Sequence, residues 1–342
     1  MSQKSKLWVL PLEPLEMRYT IEWRIWFKEI LLKHGIDYYF VDGNALTNRI
    51  ENGEVLDVYG TNYWKLTQLA GLVNAMRNGD VKDGDKIFTF DMWHTGIEVI
   101  QYIKSMTGKK LDLYGIWHAG SYDHSDFTYR HGFEPWAFKL EQTWGKIATK
   151  MFVGSVYHQK MIKHMRGIDT IVTGLPIDIN WIREKGKFYK SHKKKDQIVF
   201  TSRLDPEKRP DLFKKLKQMC KGKKWDWVVT QEQKMSKELY YATLAESKVV
   251  VSTAEHENFG IGVMEAMALG CIPVVPNGLS YVDYVPEAYR YKTLEEAKKL
   301  IQYAINVHMD NYTFNDTIAE NIQKYENSFK NMLKEMGYAN SR

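Results

Sequence analysis

The chain has 342 residues, 44% of them hydrophobic, and a formal charge of +6. That length suits two domains of ordinary size, and the composition excludes collagen-like, mucin-like and disordered chains. No apolar run approaches the roughly 20 residues that a membrane-spanning helix needs, and the positive balance favours an anionic partner (a nucleotide diphosphate, a nucleic acid or an acidic membrane) without choosing among them.

In chain order, Leu7 to Leu10 reads as a strand, Tyr19 to Lys33 as a helix ended by Gly35, and Tyr38 to Val41 as a second strand. Thr61 to Arg77 is a helix stopped at Asn78-Gly79. Lys86 to Phe90, a helix near Ile97 to Met106, Leu111 to Trp117, Met151 to Val153 and a helix around Tyr157 to Met165 continue the alternation. Gly174-Leu175-Pro176 and the polar run from Lys185 to Lys195 read as a linker. The alternation resumes with Ile198 to Thr201, Asp211 to Cys220, Trp227 to Thr230, Lys237 to Leu244, Val249 to Ser252, Val263 to Leu269 and Pro273 to Val275. A long helical pattern, Asn315 to Met336, closes the chain. Strands alternating with helices imply parallel sheets covered on both faces. The expectation is an α/β chain of two doubly wound, Rossmann-like domains facing across a cleft: residues 1–178, residues 179–314, and a tail of 315–342 packed back on the first domain. Ligands of such sheets bind beyond the carboxyl ends of the strands.

Two segments carry chemistry. Thr201-Ser202-Arg203-Leu204-Asp205-Pro206-Glu207-Lys208 joins a strand to a helix. Arg203 and Lys208, five apart across that turn, can grip a diphosphate, the guanidinium by paired bonds and the ammonium as a point charge. A basic loop with an ordinary helix cap is the plainer alternative. Glu257-Asn258-Phe259-Gly260-Ile261-Gly262-Val263-Met264-Glu265 follows a strand and opens a helix near Ile261. Its glycines allow close approach to the backbone, and the helix's amino end favours a phosphate. Two carboxylates can then hold hydroxyls on either side, unless they are incidental to a buried helix start.

Over roughly Ile198 to Pro286 these residues resemble the donor motif of retaining GT-B glycosyltransferases of family 4. The resemblance implies a UDP-sugar as donor substrate, with no permanently bound cofactor and no required metal; no Asp-X-Asp motif stands in a suitable strand-end loop. It implies that Glu257 contacts the donor sugar and Glu265 the ribose. Ser202, Asn258, Phe259, Gly260 and Ile261 line the donor site, and Arg203 and Lys208 neutralise the leaving diphosphate. Asn258 replaces the family's usual Gly. His118, in Trp117-His118-Ala119-Gly120 at a strand end, resembles the family histidine that contacts the donor sugar near the reacting carbon, a place for positioning or proton handling; a structural histidine is the alternative. On this reading the first domain binds the acceptor and the second the nucleotide sugar.

Asp91 and His94, in Phe90-Asp91-Met92-Trp93-His94, are candidates for the acceptor hydroxyl, with His124 and Asp126 behind them. Arg18 and Tyr19 are further acceptor candidates, while Tyr19, Trp23, Trp26 and Phe27 can equally be one buried helix face. The Arg18-Tyr19-Thr20 segment is similar to that of glycosyltransferases encoded by phages that decorate their DNA. That similarity implies a modified base in DNA, such as 5-hydroxymethylcytosine, as acceptor and partner, flipped out of the duplex to react. A surface glycan, a lipid-linked sugar or a small molecule is the alternative acceptor, with Lys146, Lys150, Lys160 and Lys163 as a membrane-docking patch. A sugar-nucleotide or DNA-binding module without turnover is the third reading. The lysines crowded between Lys190 and Lys224 read as a solvated linker and a surface helix. Cys220 and Cys271, in no metal-binding spacing, are expected to be reduced and structural. The polar start and the short stretch Leu7 to Leu12 offer no signal-peptide core, so the expected place is the cytoplasm, that of the host if the chain is phage-encoded.

Overall fold

A computed structural model describes residues 5–15, 19–46, 57–187, 194–233, 235–306 and 316–338. Arg18, Lys190, Lys193 and Asn315 therefore lie outside the described residues. The chain separates into two compact units. One gathers Met1–Gly154, Gln159–Thr173 and Phe329–Arg342; the other gathers Ser155–His158 and Gly174–Ser328.

The elements over the first half are β1 (Leu7–Leu10), α1 (Thr20–Lys33), β2 (Tyr38–Phe40), α2 (Val58–Arg77), β3 (Lys86–Thr89) and α3 (Glu98–Thr107). There follow β4 (Asp112–Ile116), α4 (Phe127–Arg130), α5 (Glu134–Ile147), β5 (Lys150–Val153), α6 (Val156–Arg166) and β6 (Ile171–Val172). The six strands form one parallel sheet in the order β2-β1-β3-β4-β5-β6. Its central strands are apolar on both faces, as a sheet covered by helices on both sides requires. Trp8, Ile87, Leu113 and Met151 enter one core with Leu72, Met76 and Trp144. On the opposite face Phe88 and Phe90 meet Phe27 of α1, with ring centroids 5.4 Å apart in both pairs.

The second half holds α7 (Ile179–Lys187), β7 (Lys195–Phe200), α8 (Pro210–Met219), β8 (Asp226–Val229), α9 (Lys237–Glu246), β9 (Ser247–Val251) and α10 (Ile261–Ala268). It continues with β10 (Ile272–Pro276), β11 (Arg290–Tyr291), α11 (Leu294–Asn306), α12 (Asp316–Glu326) and α13 (Ser328–Glu335). Its five strands are again parallel, in the order β11-β10-β9-β7-β8. Ile198, Phe200, Val249, Val251 and Val274 build a core with Phe213, Leu216 and Ile301.

Both sheets reverse direction of growth beside their first strand, between β1 and β3 and between β7 and β9. At such a point the loops after the two strands splay apart, and the crevice between them is where doubly wound sheets hold ligands.

Several elements depart from the expected alternation. α2 starts a turn before Thr61, because the Asp57 carboxylate accepts from the backbone N–H of Tyr59 and Gly60 and caps the helix there. The stretch expected to be a linker contains α7, which runs through Lys185 to Lys187, and Lys195 already belongs to β7. α5 and α11 fall where the alternation placed no helix. The tail is two helices, α12 and α13, with the break at Asn327. In α13, Phe329 packs on Phe27 at 4.5 Å between centroids, inside the first unit.

Candidate functional site

In the second unit the loops after β7 and β9 are stitched to each other. After β7, Pro206–Lys208 forms a short 3-10 turn, and Arg209 stands in the left-handed region at φ 50°. The Thr253 hydroxyl donates to the carbonyls of Lys208 (3.1 Å) and Arg209 (2.7 Å), and the Glu255 N–H donates to the Glu207 carbonyl at 2.8 Å. Arg209 ties the same loops from outside through Asp211 and Glu255. This backbone frame aims Lys208 inward. Its Nζ donates to the His256 carbonyl (2.6 Å) and to Glu257 Oε2 (3.0 Å), with only 8% of the lysine side chain exposed. Burial pushes the Glu257 carboxyl up, but the Lys208 charge and hydrogen bond outweigh that and hold it below the usual carboxylate range. Glu257 is therefore an anion with acceptor capacity to spare.

Gly260 caps α10 at φ 86°, and a Cβ there would meet Tyr284 Oη at 2.6 Å and Tyr281 Cε1 at 3.1 Å. No other residue fits that corner without displacing both rings. Gly262, on the first turn of α10, would push a Cβ to 2.8 Å from Thr201 Oγ1, so the start of α10 rests directly on the end of β7. Phe259 is buried and packs on Tyr325 at 5.2 Å, while its carbonyl accepts from Tyr284 Oη at 2.7 Å. The Asn258 carbonyl accepts from Ser155 Oγ at 2.7 Å. Ile261 and Ser202 are half-buried, Ser202 in the turn directly after β7.

Lys208 and Glu257 are thus in contact. Arg203 lies on the same loop as Lys208, paired with Asp205 (3.1 Å) and Glu207 (3.5 Å), and 38% of its side chain is exposed. Glu265 sits one turn and more into α10, where Oε2 accepts from Tyr240 Oη at 2.7 Å and Oε1 from Tyr241 Oη at 3.0 Å. These two tyrosines of α9 were not among the sequence candidates.

In the first unit, Tyr19, Asp91, His94 and His118 line one cavity of about 170 Å³ at the point where that sheet reverses, together with Glu13, Thr61, Lys65 and Gln68. Lys65 is the member that sequence reasoning missed. Its Nζ donates to Asp91 Oδ2 at 2.6 Å and to the Trp93 carbonyl at 2.5 Å. Burial pushes the Asp91 carboxyl up, yet Lys65, with help from His118, holds it below its ordinary value. His94 is buried; Gln68 donates to the Pro11 carbonyl (2.9 Å), which turns its amide oxygen toward His94 Nε2 (3.1 Å). Nε2 therefore carries the proton, and burial pulls the imidazole down to about 4. His118 places Nε2 2.7 Å from the Phe90 carbonyl and stacks on Trp23 at 5.3 Å. Burial lowers its pKa, against the opposing charge of Asp91. Trp23, Trp26 and Phe27 are the buried face of α1. His124 and Asp126 do not line the cavity: His124 stacks on Tyr129 at 4.3 Å, and Asp126 caps α4 by accepting from the Thr128 N–H at 2.9 Å.

Cys220 and Cys271 are buried free thiols. Among the described residues no group of three or more His, Cys, Asp or Glu is placed to hold a metal ion, and no helix is long and apolar enough to cross a membrane.

No family model matches this sequence. Over 70 residues, 20% of this chain and 19% of the relative, it is 39% identical to tRNA-queuosine alpha-mannosyltransferase of Drosophila melanogaster. Among solved structures it is similar to sucrose-phosphate synthase from Thermosynechococcus elongatus (TM-score 0.67, 12% identity, 97% of each chain covered). It is also similar to Anabaena HepE in complex with UDP and glucose (TM-score 0.61, 14% identity, 99% of this chain and 100% of that one). A third is pneumococcal O-GlcNAc transferase GtfA in complex with UDP and GlcNAc (TM-score 0.55, 11% identity, 98% of each). These likenesses run over whole chains at low identity, so they speak for architecture: this α/β chain, with its two parallel, doubly wound sheets, has the fold of GT-B glycosyltransferases.

Proposed function

We propose that the chain is a retaining glycosyltransferase that moves a sugar from a UDP-sugar onto a hydroxyl. The observation that carries this reading is the Lys208–Glu257 contact at the switch point of the second sheet, beside the amino end of α10. As the bond from the anomeric carbon to the diphosphate oxygen breaks, its electron pair leaves with UDP. Lys208, Arg203 and the first amides of α10 meet that growing charge, and fixed donors bind the transition state better than the ground state. Glu257, kept anionic, accepts from hydroxyls of the sugar, and Glu265 from those of the ribose. The acceptor oxygen bonds to the anomeric carbon on the face that the diphosphate leaves. Its proton passes to the departing diphosphate or to a base, for which ionised Asp91 and neutral His118 in the first unit's cavity are the candidates.

For the acceptor we take a hydroxyl on a modified nucleobase, 5-hydroxymethylcytosine in DNA foremost. The net charge of +6 and the aromatic and carboxylate lining of the first unit's cavity support a nucleic-acid acceptor. So does the 70-residue likeness to an enzyme whose name gives a modified tRNA nucleoside. The test is a panel of UDP-sugars incubated with hydroxymethylated duplex DNA, unmodified duplex DNA, tRNA and a mixture of simple glycan acceptors, read by mass shift and by release of UDP. A hexose or pentose increment on the hydroxymethylated duplex alone is the expected result. An increment on tRNA or on glycans alone removes the DNA acceptor but keeps the enzyme. Absence of UDP release from every donor, with and without acceptor, removes the transferase reading.

A further inference from the structure

Glu265 is 5% exposed, lies in an otherwise apolar helix (Ile-Gly-Val-Met-Glu-Ala-Met-Ala), and has both oxygens engaged by phenol hydroxyls. The donors are consecutive residues of α9, Tyr240 and Tyr241, so they approach the carboxylate from two directions. Tyr241 is itself fixed: it is 2% exposed and meets Trp181 edge-on at 5.8 Å. Tyr240 is half-buried. The Lys237 ammonium stands over both rings, 5.9 Å from that of Tyr240 and 5.6 Å from that of Tyr241. A carboxylate has about four lone-pair positions. Two phenols satisfy one on each oxygen and leave one on each directed elsewhere, at fixed spacing. Two hydroxyls on adjacent carbons are the ligand group that matches a pair of acceptors so arranged.

From this we infer that Tyr240 and Tyr241 are positioning residues that present Glu265 to the vicinal diol of a ribose and make the site selective for ribonucleoside over 2′-deoxyribonucleoside diphosphates. The inference rests on the donor-site reading above. Without the phenols the carboxylate can rotate about its terminal bond and no longer holds both acceptors in register, so the loss falls on the diol and not on the diphosphate. A merely structural role for the tyrosines would weaken every nucleotide alike.

The experiment is calorimetric titration of the full chain with UDP and with 2′-deoxy-UDP, for wild type, Tyr240→Phe, Tyr241→Phe and Glu265→Gln, with a thermal melt of each. Wild type is expected to prefer UDP by about tenfold or more, the worth of one hydrogen bond to a charged group. Each phenylalanine variant is expected to shrink that preference to about threefold or less, with 2′-deoxy-UDP affinity little changed. Tyr240→Phe, at a half-exposed position, keeps the test open if Tyr241→Phe fails to fold. A preference intact in both folded variants while Glu265→Gln abolishes it would overturn the role of the tyrosines and leave the donor site standing. UDP affinity unchanged in Glu265→Gln, or no UDP binding by wild type, would overturn the donor-site reading and this inference with it.

Discussion

Replacing Lys208 with Met removes the ammonium and keeps the chain's bulk. At 3.0 Å from Glu257, two unit charges attract by about 5.5 kcal/mol at an effective dielectric constant near 20. Desolvation cancels part of that, and Glu257 retains 18% side-chain exposure, so the net loss of stability should sit at the lower end of the buried-pair range, about 3 kcal/mol. The sign of the pH effect follows. In the native chain Glu257 titrates below its ordinary value, so its contribution is present above that value and fades as pH falls through the lowered one. In Lys208→Met only burial remains, the carboxyl rises, and folding of the variant should be favoured by acid over the range where the native chain loses stability. Turnover should fall by about 100-fold or more at saturating donor, the cost of removing one fixed charge from the leaving group. The assays are UDP release under single-turnover conditions and denaturant melts between pH 4 and 8. The double variant Lys208→Met/Glu257→Gln should regain part of the lost stability and none of the rate. Turnover within about threefold of wild type in a folded Lys208→Met protein would refute the reasoning, because no displaced solvent can replace a preorganised cation.

Gly260→Ala should cost about 1–2 kcal/mol in stability for the left-handed backbone alone, and more because its methyl group lands 2.6 Å from Tyr284 Oη; a denaturant melt and UDP titration read both effects. Lys65→Met strands the buried Asp91 carboxylate and should destabilise by about 3 kcal/mol, with Asp91→Asn added in cis restoring part of it; a single melt series on the three variants decides. EDTA should leave UDP release unchanged, and activity lost to chelator and restored by a divalent ion would contradict donor chemistry run by Arg203 and Lys208.

How far the sequence could be read depends on the range of the contacts involved. Arg203, Lys208 and Glu257 sit in loops that each join one strand to one helix, so their spacing alone places them at strand ends, and the structure finds Lys208 and Glu257 touching. The two tyrosines on Glu265 bond across 24 and 25 positions, and Lys65 reaches Asp91 across 26. No periodicity announces such pairs, since a Tyr-Tyr dipeptide or a lysine on a helix reads as surface until the neighbouring element is in place. α11 is a different case. Ala297, Ile301, Ala304 and Ile305 recur at helical spacing and are buried, so that helix was readable from its own pattern. α5 was less so, because its buried stripe includes the charged Glu141 beside Ala137 and Trp144. That glutamate is buried only because Arg166 Nε lies 2.6 Å away on α6 and the Ser121 N–H donates to it at 2.7 Å.

The same difference in range explains why the two candidate sites stand on unequal ground. In the second unit the anion-binding parts are backbone and loop: a left-handed glycine, the free amides of α10 and a lysine fixed by carbonyls on its own frame. These belong to the way a phosphate is held and vary little with what the phosphate carries. In the first unit the cavity is drawn from β1, α2, β3 and the end of β4, and every polar wall is a side chain held by another side chain: Lys65 by Asp91, His94 by Gln68. Such a wall can be rebuilt by single substitutions on separate elements without disturbing the sheet, so its chemistry follows the acceptor and not the fold. It follows that the donor's diphosphate is recognised by architecture shared with distant chains, whereas the acceptor must be sought in Lys65, Asp91 and their neighbours, residue by residue.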